Sequence, residues 1–267
     1  MMNWAKPAKY WAIFRTQLIS SAAYPLDLAA RSVTIVFFMI VFFGLWRAAF
    51  EAQGVTAIAG LTLRDTLWYL MIAETIVLSR PRMAQQIATQ VKDGSIAYLL
   101  NRPYSFLLYQ AAASLGDSML RMLSNALAGA VVVWLLVGPP PTFWGLAYMP
   151  AVIALSWMID FCVAALIGLS AFFAEEVAAF EWVYNKILFL LGGLFIPIDF
   201  FPDWLQQIAR ALPFAATIYG PARLFVGPDP AQFVMLLLVQ CAWLIGLGTV
   251  ATLAYRRGAA YLSINGG

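Results

Sequence analysis

The sequence predicts an all-α, polytopic integral membrane protein, and three observations carry that prediction. Of 267 residues, 63% are hydrophobic and 11% charged, against about 45–50% and about 25% in soluble domains; a water-facing surface cannot be assembled from this composition. The apolar residues come in blocks of the length a helix needs to cross about 30 Å of hydrocarbon at about 1.5 Å per residue. Runs such as VTIVFFMIVFFGL at residues 33–45 do not alternate as the strands of a membrane barrel must.

Taken in order, residues 1–24 place Trp11, Phe14 and Leu18 at i, i+3 and i+7, with Lys6, Lys9 and Arg15 supplying charge. That pattern suits a helix lying in the membrane interface. The segment lacks the continuous apolar core of a signal peptide, so it is expected to be retained. The first span covers 28–50, entered through Pro25 and Asp27 and left through Glu51, Gln53 and Gly54. The second, 61–79, has Arg64 and Asp65 at its start and Glu74 inside it, so one side of it must face protein or water.

Residues 80–103 form the most polar stretch. Pro81 suits a first helical turn and Asp93-Gly94 a stop. Between them Met83, Ile87 and Val91 recur every four residues, opposite Gln85, Gln86 and Gln90. The expectation is a short amphipathic helix over 81–93, outside the hydrocarbon, then a second short piece at 95–100.

Residues 104–137 are helical in character for longer than one span requires, with Gly116, Asp117, Arg121 and Asn125 in the middle and the spanning part at 118–137. Gly138 and three prolines stop that helix, because consecutive prolines remove backbone donors. The fourth span is 146–173 and contains Asp160. An acidic loop, AEEVAAFE at 174–181, leads to the fifth span at 182–196, which contains Gly192-Gly193 and ends at Pro197. Residues 197–229 are too polar to span. Pro202 and Asp203 suit the start of a short helix there, Arg210 its last turn, and Trp204, Leu205, Ile208 and Leu212 its apolar stripe. A second apolar piece follows at 214–226. The sixth span, 231–255, precedes Arg256-Arg257 and a polar tail.

Six spans put both ends on the same side. With the ends cytoplasmic, that side holds Lys6, Lys9, Arg15, Arg31, Arg80, Arg82, Lys92, Arg102, Lys186, Arg256 and Arg257, against Arg47, Arg64, Arg210 and Arg223 outside. The excess of basic residues favours this orientation in an inner (cytoplasmic) membrane, with the 81–93 helix cytoplasmic.

The sequence contains no GxxxxGK[ST], HExxH or GxSxG segment and no histidine. ATP hydrolysis by this chain alone is therefore not expected, nor is nucleophilic catalysis with a histidine base, and an ATP-driven role requires a partner. Cys162 and Cys241 sit in separate apolar blocks and offer no metal or disulfide framework; no cofactor is expected. Glu74, Asp117, Arg121 and Asp160 lie at apparent membrane depth, where each needs a partner or a wet cavity. Asp117 and Arg121, at i and i+4, can neutralise one another, whereas Glu74 and Asp160 admit a proton or cation path. The 19 Phe, 11 Tyr and 10 Trp are explained as lipid-facing bulk and interfacial anchors.

Four segments carry a resemblance to the permease subunits of type-2 ATP-binding cassette exporters. They are the amino-terminal helix, QIATQVKDGSIAYLLNRPYS (86–105), GGLFIPIDFFPDWLQQIARALPF (192–214) and RRGAAYLSINGG (256–267). The resemblance implies that the loop after the second span is a coupling helix seated in an ATPase subunit, with Met83, Gln86, Ile87, Gln90, Val91, Lys92, Asp93 and Gly94 at the contact. Glu175, Glu176 and Glu181 form a candidate second contact on the same side. It further implies separate ATPase subunits that bind ATP and magnesium, and a second permease, identical or related. The second and fifth spans of the two halves would rearrange around a shared central path for a small-molecule or lipid-like substrate; nucleic acid is not a partner. The competing expectation is a proton-coupled secondary transporter using Glu74 and Asp160, although no internal repeat relates the two halves of the chain.

Overall fold

The computed structural model describes residues 7–81, 83–100, 104–172 and 176–265. The elements in order are α1 (Pro7–Ala22), α2 (Pro25–Gln53), β1 (Ala57–Ile58), β2 (Leu61–Thr62), α3 (Leu63–Ser79), α4 (Ala84–Lys92), α5 (Ser95–Leu100) and α6 (Phe106–Val137). They continue with α7 (Gly145–Leu169), α8 (Val177–Leu191), α9 (Asp203–Ala211), α10 (Pro213–Thr217), α11 (Tyr219–Val226) and α12 (Pro230–Asn265). Short 3-10 turns follow α7 at Ser170–Phe172 and precede α9 at Ile198–Phe200.

Among the described residues, four helices are long and apolar enough to cross a membrane: Pro25–Gln53, Phe106–Val137, Gly145–Phe172 and Pro230–Gly258. The chain is therefore a multi-pass, predominantly helical membrane protein. The six-span expectation counts α3 and α8 as well, at 17 and 15 residues, or about 25 and 22 Å of helix.

Each boundary has a local cause. α2 begins with Pro25 in its first turn and ends where Gly54 adopts φ 65°. α3 starts late because Thr62 and Asp65 form a reciprocal capping box, Asp65 N–H donating to Thr62 Oγ1 at 3.2 Å and Thr62 N–H to Asp65 Oδ2 at 3.1 Å. The two-residue strands before it, with Ala57 opposite Thr62 and Ile58 opposite Leu61, correct the purely helical expectation. Ala59 and Gly60 turn the chain there with positive φ, a signal too short to register as hydrophobic periodicity.

α8 is shifted relative to its expected span of 182–196. It begins at Val177, absorbing most of the supposed acidic loop, and ends at Leu191, so Gly192-Gly193 lies beyond it. Gly193 sits at φ +75°, which a side chain would resist, and its carbonyl accepts a hydrogen bond from Tyr69 Oη at 2.7 Å. Two further corrections are smaller. The 214–226 piece breaks at Ile218 into α10 and α11, and α12 runs through Arg256-Arg257 without stopping.

α3 is the core of the bundle, with twelve of its seventeen residues buried. α2, α6 and α11 cover it. α2 shows why: Ser32, Ile35, Met39, Phe42, Trp46 and Phe50, three or four apart, are buried toward this core, while Val33, Phe37, Ile40 and Leu45 on the other side are exposed, as lipid-facing residues must be. Within one chain α3 therefore presents little free wall for a path. α8 is the open one, with only Val177 and Leu188 buried.

α1 lies along α6. Its backbone at Phe14 comes so close to Gly116 that a Cβ there would lie 2.7 Å from the Phe14 carbonyl oxygen. Ser21 Oγ donates to Asp117 at 3.2 Å, and Ser105 N–H to Tyr10 Oη at 3.0 Å.

Candidate functional site

Two adjoining features stand out where α3 ends: the exposed face of α4 and a polar junction beside it. α4 begins at Ala84 rather than Pro81, which precedes the helix. It ends at Asp93, followed by Gly94 at φ +75°. Asp93 Oδ1 accepts the Ser95 N–H at 2.9 Å, and hydrogen bonding from the Ser95 side chain, with that N–H, holds the exposed carboxyl below the usual aspartate range.

The face of α4 that packs on its own chain includes residues that the family resemblance places at the ATPase contact. Met83, Ala84, Ile87 and Ala88 are buried, together with Ala164, Ala165 and Leu169 of α7, and Val91 packs against the same cluster. Gly168 makes this approach possible, because a Cβ there would lie 2.7 Å from Ile87 Cβ and 2.8 Å from the Ala84 carbonyl oxygen. Met83 and Ile87, with Val91 partly buried beside them, therefore help seat the helix on α7. Gln90 is also engaged internally, accepting from Gln110 Nε2 at 2.9 Å. What remains outward is Gln85, Gln86, Thr89, Lys92, Asp93 and Gly94.

Arg80 caps α3 and organises the junction. Its Nη2 donates to Asn185 Oδ1, its Nη1 lies 3.7 Å from Asp160 Oδ1, and its guanidinium stands 5.4 Å from the centre of the Tyr184 ring. Tyr184 Oη donates to the same Asp160 oxygen. The Arg80 carbonyl accepts from Arg121 Nη2 at 3.2 Å. Arg121 in turn pairs with Asp117 at 2.8 Å and donates to Ser118 Oγ at 3.3 Å. The expected i, i+4 pair thus exists, at the level where α3 leaves the bundle, and it fixes a helix end.

Glu74 and Asp160 are not brought together. From Arg80, six residues back along α3, Glu74 is about 9 Å away along the axis and about 120° around it. It is buried, and among the described residues no hydrogen bond or ion pair engages it. The acidic trio does not form one surface either. Glu176 is exposed at the start of α8, Glu181 turns inward to line the junction, and Glu175 lies outside the described residues.

Between α3, α4, α7 and α8 the junction encloses a cavity of about 470 Å³. Arg80, Gln85, Asp160, Glu181, Tyr184, Asn185 and Lys186 supply its polar wall, and Leu78, Ile167, Trp182 and Phe189 are among its apolar lining. Among the described residues no cluster of potential metal ligands occurs. Sequence reasoning missed the roles of Arg80, Tyr184, Asn185 and Lys186. Asn185, a lone amide inside an apolar block, was the one available signal.

Against known proteins, a family model described as ABC-2 family transporter protein matches residues 34–266. None of the curated proteins matches the chain. The matched segment takes in α3, α4, α7, α8 and the cavity between them. The chain belongs to the ABC-2 transporter family and is a membrane permease component of an ABC transporter.

Proposed function

We propose that this chain is the membrane-spanning subunit of an ATP-driven exporter in a cytoplasmic (inner) membrane. It crosses six times with both ends inside, pairs with a second permease, and is driven by a separate ATPase that grips α4. The observation that carries this reading is the two-sided character of α4. One side is locked to α7 at Gly168, and the other presents Gln85, Gln86, Thr89, Lys92 and Asp93 to solvent. The lack of a phosphate-binding loop in the sequence supports this reading, in which hydrolysis, with its ATP and magnesium, belongs to the partner.

A push on α4 reaches the bundle by two routes. Ile87 and Ala84 bear directly on α7 at Gly168, so the two helices move as one body. Three residues before Met83, Arg80 ties the end of α3 to Asp160 of α7 and to Tyr184 and Asn185 of α8. Because α3 is wrapped by its neighbours and α8 is not, α8 is the element free to swing, which supports its role as the movable wall of a path shared with a second permease.

The test is affinity purification of the intact chain from membranes, alongside a Gln85→Glu/Gln86→Glu variant, followed by an ATPase assay of what co-purifies. Gln90 is left alone because it bonds within the chain. An ATPase that accompanies the parent and is lost or uncoupled in the variant upholds the reading. A parent that carries no ATPase overturns it.

A further inference from the structure

We infer that the cavity between α3, α4, α7 and α8 is a binding site for the zwitterionic headgroup of an amino-phospholipid, its phosphate held by Arg80 and Lys186 and its primary ammonium by Glu181.

The volume, about 470 Å³, falls in the range of about 300–1,000 Å³ typical of small-molecule sites. Two buried atoms of opposite character in its wall have no hydrogen-bond partner among the described residues: Arg80 Nη1, a donor, and Glu181 Oε2, an acceptor. The Asp160 oxygen at 3.7 Å from Arg80 Nη1 is beyond hydrogen-bond reach. Buried polar groups are ordinarily satisfied, so a donor and an acceptor left open in one cavity define what a ligand must bring.

Charge narrows the class. Arg80, Lys186, Asp160 and Glu181 all line the same cavity, with Arg80 and Asp160 3.7 Å apart. A ligand with a net negative charge would meet two carboxylates, and one with a net positive charge would meet two cations. A zwitterion meets each with its opposite. The free Glu181 oxygen requires an N–H donor, which a primary ammonium has and a trimethylammonium lacks. The aromatic faces that would cage a quaternary ammonium are occupied by the protein's own cations. Lys186 Nζ stands 5.3 Å from the Trp182 ring centre and 5.9 Å from that of Phe189, and Arg80 lies over Tyr184.

The cavity's position argues for a lipid over a soluble zwitterion. Trp182, Val183 and Leu190 leave the same helix strongly exposed, at 62%, 49% and 61%, and the six-span reading above places its exposed side in hydrocarbon. An acyl chain can follow that side while its headgroup turns in past Lys186. Binding does not depend on the ATPase; the assignment of the lipid as cargo rests on the exporter reading above.

The test reconstitutes the full chain in nanodiscs holding equal amounts of phosphatidylethanolamine, phosphatidylcholine and phosphatidylglycerol with matched chains. Lipid retained on detergent release is then counted by native mass spectrometry. The expected result is about tenfold enrichment of phosphatidylethanolamine over both others. Glu181→Gln should remove most of the preference over phosphatidylcholine, and Lys186→Gln should lower retention of all three. Leu238→Ala, on the exposed side of α12, should change nothing. Equal retention of the three lipids, or an unchanged preference in Glu181→Gln protein that remains folded by thermal shift, would overturn the inference, as would complete displacement by soluble phosphoethanolamine. An absent ATPase with an intact lipid preference would refute the exporter reading alone.

Discussion

Arg80 and Asp160 approach to 3.7 Å where α3 leaves the bundle, their side chains 17% and 8% exposed, and through this contact the residue that caps α3 is tied to the middle of α7. Removing one member of a buried pair strands the other charge, at a cost of about 3–5 kcal/mol. Asp160→Asn and Arg80→Gln should therefore each lower the unfolding temperature in detergent sharply. The double variant should be less damaged than the two single effects added, by about 0.5–3 kcal/mol. Strict additivity would show that the two groups act separately.

Gly168 tests the seat of α4. A methyl group there meets Ile87 Cβ at 2.7 Å and the Ala84 carbonyl at 2.8 Å, and neither can turn away as the tip of a long side chain could. Gly168→Ala should lift α4 from α7 at a cost of about 1–3 kcal/mol. A cysteine introduced by Ile87→Cys, buried in the parent, should become reactive to a water-soluble maleimide in the Gly168→Ala background. Unchanged labelling would place the tolerance elsewhere in the packing.

Most of the architecture was legible because long apolar blocks leave little choice. The boundaries of α2, α6 and α7 follow from Pro25, Gly54 and the Gly138-to-Pro141 stop, and the two-helix connection after α3 follows from Asp93-Gly94. The site was only partly legible. Periodicity separates one face of α4 from the other but does not say which meets the chain's own α7; the family resemblance puts Met83 and Ile87 at the ATPase contact, whereas both are buried in the cluster with α7 and Ile87 seats against Gly168. Glu181 was misread for a similar reason, since helix α8 begins five residues before the apolar block does. Arg80 looked like a loop residue, and only tertiary structure brings Asp160, Tyr184 and Asn185 around it.

Gln240 carries a comparable burden on α12. Its Nε2 lies 3.0 Å from the Val152 carbonyl, 3.1 Å from Ser156 Oγ and 2.9 Å from the Ala216 carbonyl, joining α12 to α7 and α10 inside an apolar helix pair. Hydrogen bonds between membrane helices are worth about 1–2 kcal/mol. Gln240→Leu keeps the bulk and loses the links, so it should lower thermal stability in detergent by that order. Gln240→Glu should be worse, because it replaces the donor with an acceptor facing two carbonyls. A leucine variant as stable as the parent would show that packing alone holds α12.

The segment between α8 and α12 supplies a pH signature. Asp199 accepts from Tyr219 Oη at 2.7 Å and pairs with Arg210 at 3.1 Å and Arg223 at 3.4 Å, tying the turn before α9 to α9 and α11. Burial, reinforced by the Asp199 hydrogen bond and charge, pushes the Tyr219 hydroxyl up to about 12 from an ordinary 10.0, against the pull of the two arginines. The folded chain therefore keeps this proton where the unfolded chain has lost it. The associated stability is complete below pH 10 and declines as pH rises toward 12. At neutral pH Tyr219→Phe should be the less stable protein by about 1.5–3 kcal/mol, the worth of a hydrogen bond to a charged acceptor. The gap should close as pH rises through that window, because only the parent pays for ionising the buried phenol. Thermal unfolding in detergent at a series of alkaline pH values reads this directly, and a parent-to-variant gap that stays constant to pH 12 would show that Tyr219 titrates as an exposed phenol does.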